Sequence, residues 1–181
     1  MLSREGATDK EQKAPRRRKA PGPARPAAPS LAEALAAPLV DALTDPDEQR
    51  REAAARHVLR TCVPAVVALL CRGLVERLLA GPLEGRRSAR ASLEQVGAAA
   101  VPALYCRLLG ARGAGTQLAL VGALTAIGQG LSTRGRVDLM LDLAIVRSRA
   151  ADGAVVEAID AAVATLRRLN ERAARSGQSP G

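Results

Sequence analysis

An apolar spacing of i, i+4, i+7 that ends in glycine recurs along this chain and limits its fold more than any other feature. Ala89, Leu93 and Val96 precede Gly97, and the segment 120–128 repeats the pattern 31 residues later. Weaker copies in the same register are Leu59 with Cys62 on the N-terminal side and Val163 with Leu166 on the C-terminal side. This spacing gives one apolar helix face, and a pair of helices cannot bury such faces alone. The repetition therefore predicts helical pairs that stack side by side.

Proline, aspartate and glycine divide the rest of the chain into the same kind of unit. Pro64 and Pro102 each follow a valine and precede an alanine, which is typical of a first helical turn. The predicted helices are 31–43, 48–61, 64 to the Gly81-Pro82 pair, 86–96, 101–109, 117–127, 136–146 and 154–172. Because no segment alternates with period two over the length of a strand, the prediction is an all-α protein.

Three segments of this pattern resemble the HEAT-like repeat family, including the short repeats described in phycobilin lyases. They are 39–47 followed by Arg50 and Arg51, then 98–104, then 123–128. The resemblance covers about residues 31–170 in four pairs. It implies a right-handed α-solenoid of about four HEAT-like helical pairs over residues 31–172, in which the second helix of each pair lines a concave groove.

The two ends of the chain differ from this repeat region. Residues 1–30 hold eight basic and three acidic groups and, apart from Leu2, no large apolar side chain. They cannot bury enough surface to offset the entropy of ordering, so we predict a disordered basic Pro/Ala/Arg tail there, and a disordered C-terminus at 173–181. No apolar run approaches the length of about 20 residues that spans a bilayer. An odd count of three cysteines suits a reducing compartment, so the expected location is cytoplasmic.

The chain offers few residues for catalysis, metal binding or cofactor binding. Its single aromatic residue, Tyr105, excludes sites that are built from stacked rings. The cysteines are scattered and form no zinc-binding spacing, so they are expected to be small buried hydrophobes. His57 has no obvious catalytic partner, the glycines of 110–116 lack the lysine of a phosphate-binding loop, and the pair Asp138 and Asp142 fits a solvated face. We therefore predict no catalytic residue, no metal site and no cofactor.

These observations favour a non-enzymatic scaffold that binds a segment of a protein partner in the solenoid groove. The residues expected to contact the partner are the arginines of the second helices: Arg50, Arg51, Arg86, Arg87 and Arg90. An alternative is nucleic-acid binding aided by the basic tail, although the arginine stripe is interrupted in the third pair. A third possibility, implied by the family resemblance alone, is a lyase-like or assembly role on a tetrapyrrole protein.

Overall fold

The computed structural model describes residues 31–176, and every regular element in that range is a helix. The α-helices are α1 (Leu31–Leu43), α2 (Glu48–Thr61), α3 (Pro64–Ala80), α4 (Leu83–Val96), α5 (Val101–Gly110), α6 (Ala114–Gly130), α7 (Thr133–Arg147) and α8 (Gly153–Ser176), and a short 3-10 helix, Gly97–Ala100, joins α4 to α5. The all-α prediction is therefore confirmed for this range. The predicted disordered tail at 1–30 and the last five residues lie outside the described part of the chain.

Local sequence signals explain where several of these helices begin and end. The Asp47 carboxylate accepts hydrogen bonds from the backbone N–H groups of Gln49 and Arg50, which caps the start of α2. Pro64 and Pro102 occupy the first turns of α3 and α5, as predicted. Gly97 ends α4 with a φ of +64°, a backbone conformation that residues with a Cβ rarely adopt.

Helix boundaries were predicted less well where glycine does not end a helix. α6 continues through Gly128 to Gly130, because Gly128 is a site of close packing and not a terminus. A Cβ at this position would lie 2.6 Å from Leu166 Cδ2 and 3.0 Å from Leu139 Cδ2. α6 also begins three residues before the predicted Gln117. The last helix continues through 173–176, residues that the sequence analysis assigned to a disordered C-terminus.

The helices pack in pairs and in two layers. Each odd-numbered helix contacts the even-numbered helix that follows it, so the pairs are α1 with α2, α3 with α4, α5 with α6, and α7 with α8. Each odd-numbered helix also contacts the next odd-numbered one, and each even-numbered helix contacts the next even-numbered one. One continuous apolar core, mostly leucine, valine and alanine, lies between the layers.

The repeated apolar stripe forms the centre of this core. Ala89, Leu93 and Val96 of α4 are buried, as are the three stripe residues of α6, which are Leu120, Leu124 and Ile127. The extension of this register to α2 was wrong, because Leu59 is 46% exposed and the buried apolar residues of α2 are Ala55 and Val58. In the layer of even-numbered helices, α2 contacts only α4, whereas α4 and α6 each contact two helices. The buried face of α2 is therefore narrower than that of α4 or α6.

No helix within residues 31–176 is both long enough and apolar enough to cross a membrane.

The packing of α4 and α6 leads to a prediction about stability. Leu93 and Leu124 are 0% exposed, so replacing either by alanine is expected to lower the free energy of unfolding by about 2–5 kcal/mol through loss of burial and an unfilled cavity. The Leu59→Ala variant, whose side chain is largely exposed, is expected to lose less than about 1 kcal/mol. Urea titration of the three variants measures these differences, and a loss at Leu59 equal to that at Leu93 would contradict the register.

Candidate functional site

A groove of about 780 Å³ lies over α3, between α1 and α5. Both flanking helices pack on α3, so α3 provides the floor and the other two provide the walls. The groove is therefore formed by first helices of successive pairs. The family resemblance placed it on the second helices instead.

Small side chains account for the depth of this groove. Its apolar lining is mainly alanine and glycine, with Ala36 and Ala37 from α1, Ala68 and Gly73 from α3, and Ala103 from α5. A Cβ on Gly73 would lie 2.8 Å from Val40 Cγ2. The glycine therefore lets α1 approach the α3 backbone more closely than any other residue at position 73 would allow. Because such short side chains do not fill the space above α3, an open apolar channel remains.

Charged side chains border the groove and join its walls to its floor. Arg77 of α3 donates a hydrogen bond to the Asp41 carboxylate of α1. Arg107 of α5 forms an ion pair with Glu76 of α3, with 3.0 Å between Nε and Oε1. The exposed Arg72 also lines the groove and pairs with no carboxylate whose side chain the structure describes. Among these described side chains, the rim presents one more positive than negative charge.

The three cysteines occupy three different environments. Cys71 is fully buried beneath the groove, and burial raises the pKa of its thiol to about 11. Cys62 is half-buried, and Cys106 is exposed on the face of α5 that lines the groove. The prediction of small buried hydrophobes is right for Cys71 and wrong for Cys106. Periodicity alone did not distinguish the groove face of α5 from its core face.

The arginines predicted to contact a partner lie away from this groove. Arg50, Arg86, Arg87 and Arg90 are exposed on α2 and α4, and none of them lines it. Arg50 lies within 3.8 Å of Asp47, and Arg90 pairs with Glu94 at 2.9 Å on the same helix. Exposed pairs of this kind contribute little to stability.

Arg51 is not a surface residue, which corrects its assignment as a partner contact. Its side chain is buried, and its Nη1 donates a hydrogen bond to the Asp45 carbonyl at 3.0 Å. Arg136, in the first turn of α7, makes a similar contact. It donates hydrogen bonds to the Leu131 carbonyl at 2.5 Å and to the side-chain oxygen of Asn170 on α8. Both arginines satisfy carbonyl groups of the preceding turn, so they stabilise the junctions between helices.

The remaining sequence candidates form no catalytic arrangement. His57 is exposed on α2 beside Arg56 and Arg60, in a shallow depression of about 300 Å³ that no carboxylate lines. Tyr105 is half-buried against the core. The glycine-rich segment is mostly helical, because α5 extends to Gly110 and α6 begins at Ala114.

The two aspartates of α7 lie together, and no metal-binding cluster accompanies them. Burial, and then the neighbouring Asp138, raise the pKa of the half-buried Asp142 above its ordinary value. Among the side chains that the structure describes, no three from histidine, cysteine, aspartate or glutamate lie close enough to hold a metal ion.

No protein-family model matches this chain, and no characterised protein or solved structure is similar enough to assign it to a family. The resemblance to HEAT-like repeats therefore stays a prediction.

The cysteine environments give a chemical test of the groove. At pH 8 a thiol reagent such as iodoacetamide is expected to modify Cys106 first, because that side chain is exposed. Cys71 should react only after unfolding, because it is enclosed and little of it is thiolate at a pH about three units below its pKa. Peptide mass spectrometry with and without urea measures both rates. Equal rates for Cys71 and Cys106 in the native protein would contradict the assigned faces of α3 and α5.

Proposed function

We propose that the protein is a non-enzymatic interaction module, a right-handed α-solenoid of about four HEAT-like helical pairs, that binds a segment of a protein partner. The observation that carries this proposal is the open apolar groove over α3. Within the described residues this groove is a concave, mostly apolar surface that is open to solvent. Such a surface can bind a segment of another protein by burying its apolar side chains.

The packing order supports the solenoid part of the proposal. Contacts run from each pair to the next in both layers, which is what stacked repeats require. Each pair leaves apolar surface that only its neighbours cover. An array built in this way presents long grooves between parallel elements, and such grooves are a common means of binding extended or helical segments.

The chemistry of the groove indicates the kind of segment it accepts. An amphipathic helix places apolar residues at i, i+3 or i+4, and i+7, which matches a channel between two helices. Ala68 on the floor and Ala103 on the α5 wall allow close approach of the incoming backbone. A carboxylate on the partner would pair with Arg72, whose charge the described carboxylates leave unmatched.

The exposed arginines of α2 and α4 favour nucleic acid as a second candidate. These neighbouring helices present Arg56, Arg60, Arg86 and Arg87 to solvent. The next even-numbered helix, α6, has no basic residue, so the number of phosphates that this face can neutralise is small. Binding would be weak, and it would fall steeply with salt.

A photochemical experiment tests the groove. A photoreactive benzoylphenylalanine replacing Ala37, an exposed lining residue of α1, is expected to form a covalent adduct with a protein partner in extracts of the native source. The same group at Ala164, an exposed alanine of α8, provides the matched control position and should form no such adduct.

Filling the groove should abolish this adduct. Ala68→Trp places a bulky ring on the groove floor at an exposed position, so it is expected to reduce the adduct at least about tenfold without unfolding the protein, whereas Ala164→Trp should leave it unchanged. Equal adducts at positions 37 and 164, or no effect of Ala68→Trp, would contradict the proposal. Adducts with nucleic acid alone would favour the second candidate.

A further inference from the structure

Helix α7 presents a row of large apolar side chains to solvent. Val137 is 41% exposed, Leu141 is 62% exposed and Ile145 is 44% exposed, and the spacing of four residues aligns them along one face. We name these three residues the α7 stripe. The buried residues Leu139 and Leu143 lie on the other side of the helix. Singly scattered apolar residues on a surface need no explanation, but an aligned row of three is typical of a contact surface.

A row of charged side chains runs along one flank of the α7 stripe. In chain order its members are Arg134, Asp138 and Asp142 of α7 and then Arg149 in the turn that follows the helix, so the signs read plus, minus, minus, plus. None of the four forms an ion pair with another residue of the described range. The row therefore offers its charges to an external partner.

The order of these charges selects against an antiparallel second copy of this chain. The sequence plus, minus, minus, plus is the same read in either direction. When two α7 helices pack antiparallel with their stripes aligned at Leu141, the charged flanks lie on the same side, so like charges meet along them. Like charges in direct opposition are unfavourable, so the apolar row alone would have to hold such a dimer together.

We propose that the α7 stripe and its charged flank bind an amphipathic helix of another protein, one with two central basic residues between acidic ends. Its apolar face would cover Val137, Leu141 and Ile145. Its central Lys or Arg side chains would pair with Asp138 and Asp142, and its terminal carboxylates with Arg134 and Arg149. The surface is separate from the groove over α3, which no residue of α7 lines, so the proposal does not depend on the function of the groove.

The pair of Asp138 and Asp142 destabilises the free protein, and a basic side chain of a bound partner would remove this destabilisation. Burial and the charge of Asp138 both disfavour the ionised form of Asp142 in the folded state. An aspartate whose folded pKa is raised destabilises the fold as pH rises through that pKa, so the penalty is present at neutral pH. A lysine or arginine placed beside the pair compensates both carboxylates.

Two synthetic helices of about 18 residues test the proposal. Both present leucines at i, i+4 and i+8; one has central lysines and terminal glutamates, and the other has these charges exchanged. Fluorescence anisotropy with the full chain is expected to show that the lysine-centred helix binds at least about fivefold more tightly. Its charges are opposite in sign to those of the flank, whereas the charges of the other helix have the same sign. The double variant Asp138→Lys with Asp142→Lys should remove this preference, because all four flank charges are then positive and each helix has two attracting and two repelling pairs.

Two further variants separate recognition from stability. Leu141→Ala should weaken binding of the lysine-centred helix about fivefold or more, whereas Leu83→Ala, a 60% exposed leucine on α4, should leave it unchanged. Asp142→Asn should raise the thermal midpoint at neutral pH and still weaken binding, a combination that a merely structural role would not produce. Equal affinity for the two helices, or dimerisation through α7 in sedimentation experiments, would overturn the proposal.

Discussion

Close approach of helices through small side chains is the constraint on which the rest of this structure depends. The chain has one tyrosine and no phenylalanine or tryptophan, so leucine, valine and alanine must fill its core. At Gly73 and Gly128 the neighbouring helix is so near that even a methyl group would overlap a packed side chain. Well-packed interiors tolerate such overlap poorly. Neighbouring helices therefore lie close together at these points, and the short side chains above α3 leave a channel.

The arginines of this protein divide by environment, not by position in the repeat. Arg51 and Arg136 are buried and donate hydrogen bonds to backbone carbonyl groups at helix junctions. Arg77 and Arg107 connect neighbouring odd-numbered helices through ion pairs at the rim of the groove. Arg72 at the groove and Arg134 beside the α7 stripe pair with no carboxylate whose side chain the structure describes, so both are available to a partner.

The sequence predicted the helices and the core of the central pairs because both depend on residues close together in the chain. Leu93 and Leu124 lie within regular stripes, and a regular stripe indicates one buried face. The location of the groove was not predicted, because it depends on how α1, α3 and α5 meet across more than 60 residues of chain. The environments of Arg51 and Cys106 were missed for the same reason. A helical period identifies an apolar face but does not identify the neighbour that covers it.

A double-mutant cycle between Gly73 and Val40 tests the close approach of α1 and α3 most directly. Gly73→Ala forces a methyl group against Val40 and is expected to lower the free energy of unfolding by about 1–3 kcal/mol. Val40→Ala removes the side chain that the methyl group would meet, so the double variant should lose at least about 1 kcal/mol less than the two single losses combined. Losses that add to within about 0.5 kcal/mol would show that the two helices do not meet at this point, and would contradict the account of the groove.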